Sequence, residues 1–431
     1  MSVVLRNVQW YDWRQGTLAA GDLLVGDDPG ADPQLLKGEA PADAAVADGG
    51  GGLAMAGLVC GHHHLYSALA RGMPAPPRAP RNFVEILELI WWRLDRCLDL
   101  EMVRASALAG AMDMLRSGVT AVVDHHSSPN AVTGSLDALA QGLDAAGLAH
   151  VLCVELSDRD GPAAAEAGLA ETDRWLASGH PGLVGLHASF TVGDPLLQRA
   201  VDLARKHDVG VHVHVAEDRA DQEHCRATYG CGLAERFARA GALALPGTIL
   251  GHGLWLDDAD RDLVRRAGAW LAVNVESNQN NAVGAFRAAG FDPARILLGT
   301  DGMHGDLLRS LQAAFLSGSA DGGLEGAQAW QALWNNRRWL EAHAPAAARR
   351  NDVVLLRNDA PTPLAADNIL GHALYGLDAR QVRTVIAGGR LVLVDGRLTL
   401  LDEDDTLRFC REQARRLWER LGARGQDGAQ P

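Results

Sequence analysis

The sequence predicts an α/β protein: a (β/α)8 TIM barrel with a small β-sandwich domain formed from the N- and C-terminal segments. Three observations predict it. Short apolar runs alternate with helix-period stretches about eight times between residues 57 and 345, the repeat of a parallel barrel. Those runs end in histidines and carboxylates, and the C-terminal ends of barrel strands build an active-site face. Residues 1–56 and 346–431 carry strand patterns but too little apolar content to fold separately, so each needs the other. An open doubly wound sheet would carry a glycine-rich nucleotide loop after its first strand. Here the first strand runs into His62-His63-His64 instead.

Residues 1–56 read as short strands and turns, beginning with the alternating VVLRNVQWY and passing through a Gly/Asp/Pro/Ala-rich stretch at 27–52. The apolar run 53–60 reads as one buried strand that delivers the histidines. The barrel strands follow as LVCG (58–61), VTAVVD (119–124), HVLCVE (150–155), LVGLH (183–187), VGVHVHV (209–215), TILGH (248–252), WLAVNV (270–275) and ILLGTD (296–301). Helix-period segments such as 101–118 and 194–208 separate them. The Pro-rich insertion RGMPAPPRAPR (71–81) cannot be helix, and its place after the first strand suits a lid or substrate loop. Strands return at 352–357 and 382–399. The chain closes with an amphipathic helix at about 403–421 and a polar tail expected to be disordered.

Composition bounds the partners. The chain has 431 residues and a formal net charge of −14, which opposes nucleic acid and anionic membrane surfaces. No run approaches the ~20 apolar residues that span a bilayer. Six scattered cysteines with no CxxC pair, and no leader pattern, point to reduced thiols in a cytoplasm. A small-molecule substrate is expected, and the apolar helix faces leave room for a homodimer.

The chemistry lies at the strand ends. His62 and His64 share one strand face while His63 points to the other. His212 and His214 repeat the arrangement, with His214 nearer the mouth and His212 read as a core residue. With Asp301 from GTDG, the set His62, His64, His214 and Asp301 gives three imidazoles and a carboxylate. That mix suits one divalent metal, Zn²⁺ first, with Fe²⁺ or Mn²⁺ as alternatives. Glu217, three residues past His214, is placed to move a proton from water to a leaving group. His252, flanked by glycines, could polarise the attacked group; Asp301 could also hold the attacking water. His187 and Asn278 read as substrate contacts. Asp124-His125-His126 reads equally as support for the metal ligands or as a structural cluster.

These residues resemble the amidohydrolase superfamily over nearly the whole chain. GLVCGHHH is similar to its strand-one HxH motif and HVHVAE to its strand-five histidine with HxxE glutamate. GHG and GTDG match its strand-six histidine and strand-eight aspartate. Within it, the chain looks most like the aminohydrolase branch of triazine hydrolases and guanine and cytosine deaminases, above all the SsnA-type aminohydrolases, through HLYSALARGM, NFVEILELIWWRLD, DHHSSP, ESNQNNAVG and DNILGHALYG. The resemblance implies hydrolytic deamination of an aminated heterocycle, with Glu217, His252 and Asp301 catalytic and the four ligands holding one metal. Chloride displacement or cyclic-amide opening could use the same site; a non-catalytic metal-binding accessory protein is the reading from another class. Some relatives bridge two metals with a carboxylated strand-four lysine. The only lysines here are Lys37 and Lys206, and strand four ends in His187, so a mononuclear site is expected. Glu276 departs from the Pro-Thr-Ser-Asn-like sequence of many deaminases.

Overall fold

The computed structural model describes residues 2–427. Two sheets organise it. The first is assembled from the termini: β1 (Val3–Asp12), β2 (Thr17–Val25), β3 (Gln34–Leu35), β4 (Ala45–Asp48) and β5 (Leu53–Ala56) come from the N-terminal segment. The second sheet holds β6 (Leu58–His63), β7 (Val119–His126), β8 (Ala149–Leu156), β9 (Val184–Ala188), β10 (Val211–Val215), β11 (Ile249–His252), β12 (Trp270–Val273) and β13 (Ile296–Leu298). β14 (Val353–Leu356), β15 (Val382–Ala387), β16 (Arg390–Val394) and β17 (Arg397–Leu398) return to the first sheet.

In the terminal sheet the two ends of the chain meet at β5. This strand pairs in parallel with β1 and antiparallel with β14, Met55 lying opposite Val354. The order is β17-β16-β15-β14-β5-β1-β2-β3, with β4 on β1 beside β5. Leu5, Leu23, Val25, Ala54, Val353 and Ile386 bury one apolar face. Neither half could bury that face alone, which is why the strand patterns reappear only after residue 350.

The apolar run 53–60, read from sequence as one strand, is two strands in two sheets. The break falls at Gly57, where a Cβ would lie 2.4 Å from the Thr120 hydroxyl. Only glycine lets the chain cross between the sheets so close to β7.

The eight strands of the second sheet are parallel and neighbour one another in sequence order from β6 to β13. Past β13 the backbone completes the ring, with Thr300 N–H donating to His62 O at 3.0 Å and His63 bridging to Asp301. Asn336, on the helix Gly326–His343, stitches the seam. Its Nδ2 donates to Val59 O at 2.6 Å and Leu298 O at 2.8 Å, while its Oδ1 accepts from Leu298 N–H at 2.9 Å. The strand interior is apolar on both faces, as parallel strands covered by helices require. The helices Leu100–Arg116 and Asp194–His207 lie where the 3.6-residue periodicity puts them.

The last helix, Glu403–Asp427, packs along Leu100–Arg116. It runs further than its amphipathic pattern implies, so 422–427 are helical rather than disordered; the remainder of the expected disordered tail, 428–431, lies outside the described residues. Among the described residues no helix is long and apolar enough to cross a membrane. All six cysteines are buried.

Candidate active site

The strand ends deliver their polar residues to one mouth. His62 is the penultimate residue of β6 and His64 lies just past its end; their rings sit 4.9 Å apart at 83°. His64 Nε2 is 3.1 Å and His62 Nε2 3.8 Å from Asp301 Oδ1. His214 Nε2, from β10, is 3.1 Å from His64 Nε2. His63 points the other way, its Nδ1 on Thr300 Oγ1 at 2.8 Å. The alternation expected from the strand holds. Gly299 makes the approach of β13 possible, since a Cβ there would lie 2.1 Å from Asn274 Oδ1 and 2.9 Å from His62 O.

The tautomers of these rings follow from their second nitrogens. His64 Nδ1 lies 2.6 Å from the carbonyl of His125, and His214 Nδ1 lies 2.8 Å from that of His187. A carbonyl only accepts, so both Nδ1 atoms carry the proton. In the neutral rings the two Nε2 lone pairs then face each other at 3.1 Å. Such a pair needs an electrophile between or beside it. Nε2 of His62 and of His252 are buried and have no hydrogen-bond partner. Three imidazoles whose far nitrogens are tied down, with an unsatisfied lone-pair cluster and a carboxylate, fit a divalent cation. The ligand atoms of His62, His64 and Asp301 lie within 4.8 Å of one another, as do those of His62, His214 and His252.

His212 and His125, the latter read equally as support or as part of a structural cluster, hold this set. His212, read as core, is fully buried and places Nε2 2.8 Å from His62 Nδ1. His125 Nε2 lies 3.2 and 3.1 Å from the carbonyls of Leu186 and His212. Both act on the candidate ligands through their neighbours, and Asp124 accepts the Leu65 N–H at 2.6 Å just past the motif.

Glu217 Oε2 is 3.5 Å from His252 Nε2, and His252 Nε2 is 3.7 Å from Asp301 Oδ2. Burial pushes the Glu217 carboxyl up to about 7, against the pull of His252. Ala216, His252 and Asp301 take φ values of +53°, +71° and +50°. Three non-glycine residues in the left-handed region at one mouth are strain held in place by the surrounding fold. Asn278, read above as a substrate contact, does not line the cavity. Its Oδ1 lies 2.8 Å from His252 Nδ1 and orients that ring. His187 does line it, with Nδ1 on Thr191 Oγ1 at 2.6 Å.

The cavity over this cluster encloses about 790 Å³ including its open mouth, within the usual range for small-molecule sites. One wall comes from a helical stretch that starts at Phe83 and contains a π-turn over Leu87–Trp91. The extra residue turns Trp91 and Trp92 both inward, beside Phe83 and Leu87. The Pro-rich loop 71–81 does not line the cavity. It anchors the wall instead, through Arg78 and Arg81 ion-paired to Glu85. Glu276 also turns away, onto His304 and Ser310 at 2.8 Å each; Ser277, Asn280 and Asn281 take its place in the cavity.

The amidohydrolase family model matches residues 53–332, more than half of the chain and all of the mouth residues above. This chain belongs to the amidohydrolase family. The amidohydrolase is an enzyme, a hydrolase of carbon–nitrogen bonds. It is 27% identical to a 5'-deoxyadenosine deaminase of Methanothermobacter thermautotrophicus, over 93% of this chain and 96% of that one. It is 29% identical to a 5-methylthioadenosine/S-adenosylhomocysteine deaminase of Desulforudis audaxviator, over 93% and 94%. Among solved structures, the zinc-bound adenosine deaminase of Xanthomonas campestris superposes with a TM-score of 0.78 at 20% identity, covering 96% of this chain and 98% of that one. A zinc complex of an atrazine chlorohydrolase from Arthrobacter aurescens gives 0.79 at 17%, covering 96% and 100%. These two show the barrel and the added sheet as a shared fold.

Proposed function

We propose that this amidohydrolase removes the ring amino group of an adenosine-type purine by hydrolysis, using His62, His64, His214 and Asp301 to hold one Zn²⁺. The observation that carries it is the pairing of the unsatisfied imidazole cluster with Glu217, a buried carboxyl poised near neutrality 3.5 Å from His252. The deaminase names of relatives that match over more than nine-tenths of this chain point to the same reaction, and favour it over chloride displacement. A divalent ion in the cluster supplies Lewis acidity that makes water a nucleophile near pH 7.

The rest falls to the chain's own residues. Asp301, at the mouth beside His252, accepts a hydrogen bond from the attacking water and aims it. Glu217 takes the proton released as the C–O bond forms and passes it to the ring nitrogen beside the attacked carbon; it then carries the remaining hydroxyl proton to the amino nitrogen as the C–N bond breaks, so ammonia leaves and a ring carbonyl with an adjacent N–H forms. His252, held by Asn278, stabilises charge on the incoming oxygen. The aromatic wall of Phe83, Trp91 and Trp92 suits a flat heterocycle. A cytoplasmic location agrees with six scattered cysteines that form no CxxC pair.

The test is product analysis. Incubation of the zinc-reconstituted enzyme with 5'-deoxyadenosine should yield equimolar ammonia and the 6-oxo purine, while intact substrate would refute the proposal.

A further inference from the structure

Among the described residues, the cavity carries carboxylates and no guanidinium or ammonium group. None of the described residues lining it is Arg or Lys, whereas Asp95, Glu155, Glu217, Asp218, Asp221 and Asp301 all do so. Glu217 and Asp301 face the metal cluster. Glu155 stands beside His187 and His214, their ligand atoms within 4.8 Å of one another, and Asp95, Asp218 and Asp221 line the rest.

One guanidinium comes near, and it is already taken. Arg159 is ion-paired to Asp95, lies 3.3 Å from both Glu155 Oε1 and Asp160 Oδ2, and stands 5.2 Å from the Trp92 ring centre. With Arg96, which pairs with Asp160 at 2.6 Å, two guanidiniums answer three carboxylates. Beyond Trp91 and Met303 the cavity adjoins a groove that contains Arg71 and Arg116. These too face acids, Asp113 at 3.6 Å and Glu403 at 2.7 Å. An anionic substrate group would therefore meet uncompensated negative charge in a chamber with apolar walls, where repulsion is weakly screened.

Asp95 adds a positive preference. Its side chain is 1% exposed. Oδ2 accepts from Ser127 Oγ at 3.0 Å and from Arg159, while Oδ1 is buried without any partner. An unpaired carboxylate oxygen on a cavity wall costs free energy until a donor reaches it.

We propose that the outer chamber selects uncharged purine nucleosides, with the Asp95 carboxylate accepting a hydrogen bond from a substrate hydroxyl, and rejects purines that carry a phosphate or a carboxylate. This rests on the deaminase reading above. Leu87, Trp91 and Trp92 give the uncharged 5' end an apolar bed. Discrimination thus lies in charge rather than in length.

The experiment compares kcat/KM for adenosine, 5'-methylthioadenosine, adenosine 5'-monophosphate and adenosine-5'-carboxylic acid at pH 8, above the value of about 6 to which burial lifts Asp95. Methylthioadenosine controls for the size of the monophosphate. The two uncharged nucleosides should exceed both charged ones by at least tenfold. Asp95→Asn should raise KM for adenosine at least fivefold with kcat nearly unchanged. Leu87→Arg should narrow the gap between monophosphate and methylthioadenosine. Either charged substrate within tenfold of the uncharged pair overturns the charge selection, and an unchanged KM in a folded Asp95→Asn variant overturns the role of Asp95. If none of the four is deaminated, the proposed function falls and this inference with it, an outcome distinct from broad turnover of all four.

Discussion

As proposed ligands, His62, His64 and His214 illustrate how little of a ligand's work is done by the ligand. Each binding nitrogen is aimed because the opposite nitrogen is occupied, by His212 for His62 and by backbone carbonyls for His64 and His214. His212→Ala should therefore lower zinc affinity by roughly 10–100-fold while leaving the four ligands in place; unchanged affinity in a metal-competition titration would remove His212 from the site. Glu217→Gln keeps the size and the hydrogen bond from Asn281 Nδ2 at 3.2 Å but cannot carry the proton. It should retain metal and lose about 10²–10⁴-fold in kcat; near-normal turnover would exclude Glu217 as the acid–base group. At this scale the strand pattern was a reliable guide. Alternation placed His62 and His64 on one face and His63 on the other, as found. It failed for His212 and Asn278, because a residue that orients a ligand and one that packs the core are equally buried and leave the same trace in a single sequence.

Two elements set the geometry of the mouth, and neither is a strand. The helix Gly326–His343 closes the barrel through Asn336, which satisfies three backbone groups at the seam between β6 and β13. Asn336→Ala would leave buried donors and acceptors unpaired. The variant should lose at least ~2 kcal/mol in chemical denaturation, together with metal affinity, since His62 lies on one side of that seam. Full stability would show that the seam closes without it. The helical stretch from Phe83 forms the apolar wall, and its π-turn could not be read from the residues. NFVEILELIWWRLD shows helix-forming composition, but the extra residue that turns both tryptophans inward is set by packing against the barrel. The Pro-rich loop before it was legible as non-helical. Its role was not, because its arginines pair with a glutamate four and seven residues away and make no contact with the cavity.

For the whole molecule, repetition made the fold visible. Eight apolar runs at barrel spacing, each ending in or beside a histidine or carboxylate, require no contact information to be recognised. The terminal sheet was visible only by elimination, as two apolar-poor segments in need of one another, and the crossing at Gly57 was hidden inside a continuous apolar run. Because β5 sits between β1 and β14, removal of residues 346–431 should expose Leu53–Ala56 and yield insoluble chain; a soluble, metal-binding truncation would show that the barrel folds independently of the sheet. The claim that joins fold, site and chemistry is that one divalent ion, held by His62, His64, His214 and Asp301, serves one deamination site per chain. Its most direct measurement is the titration of metal-free enzyme with Zn²⁺ while ammonia release from 5'-deoxyadenosine is followed. Activity should rise linearly and level off at one equivalent per chain. A break at two equivalents, or full activity before any zinc is added, would contradict it.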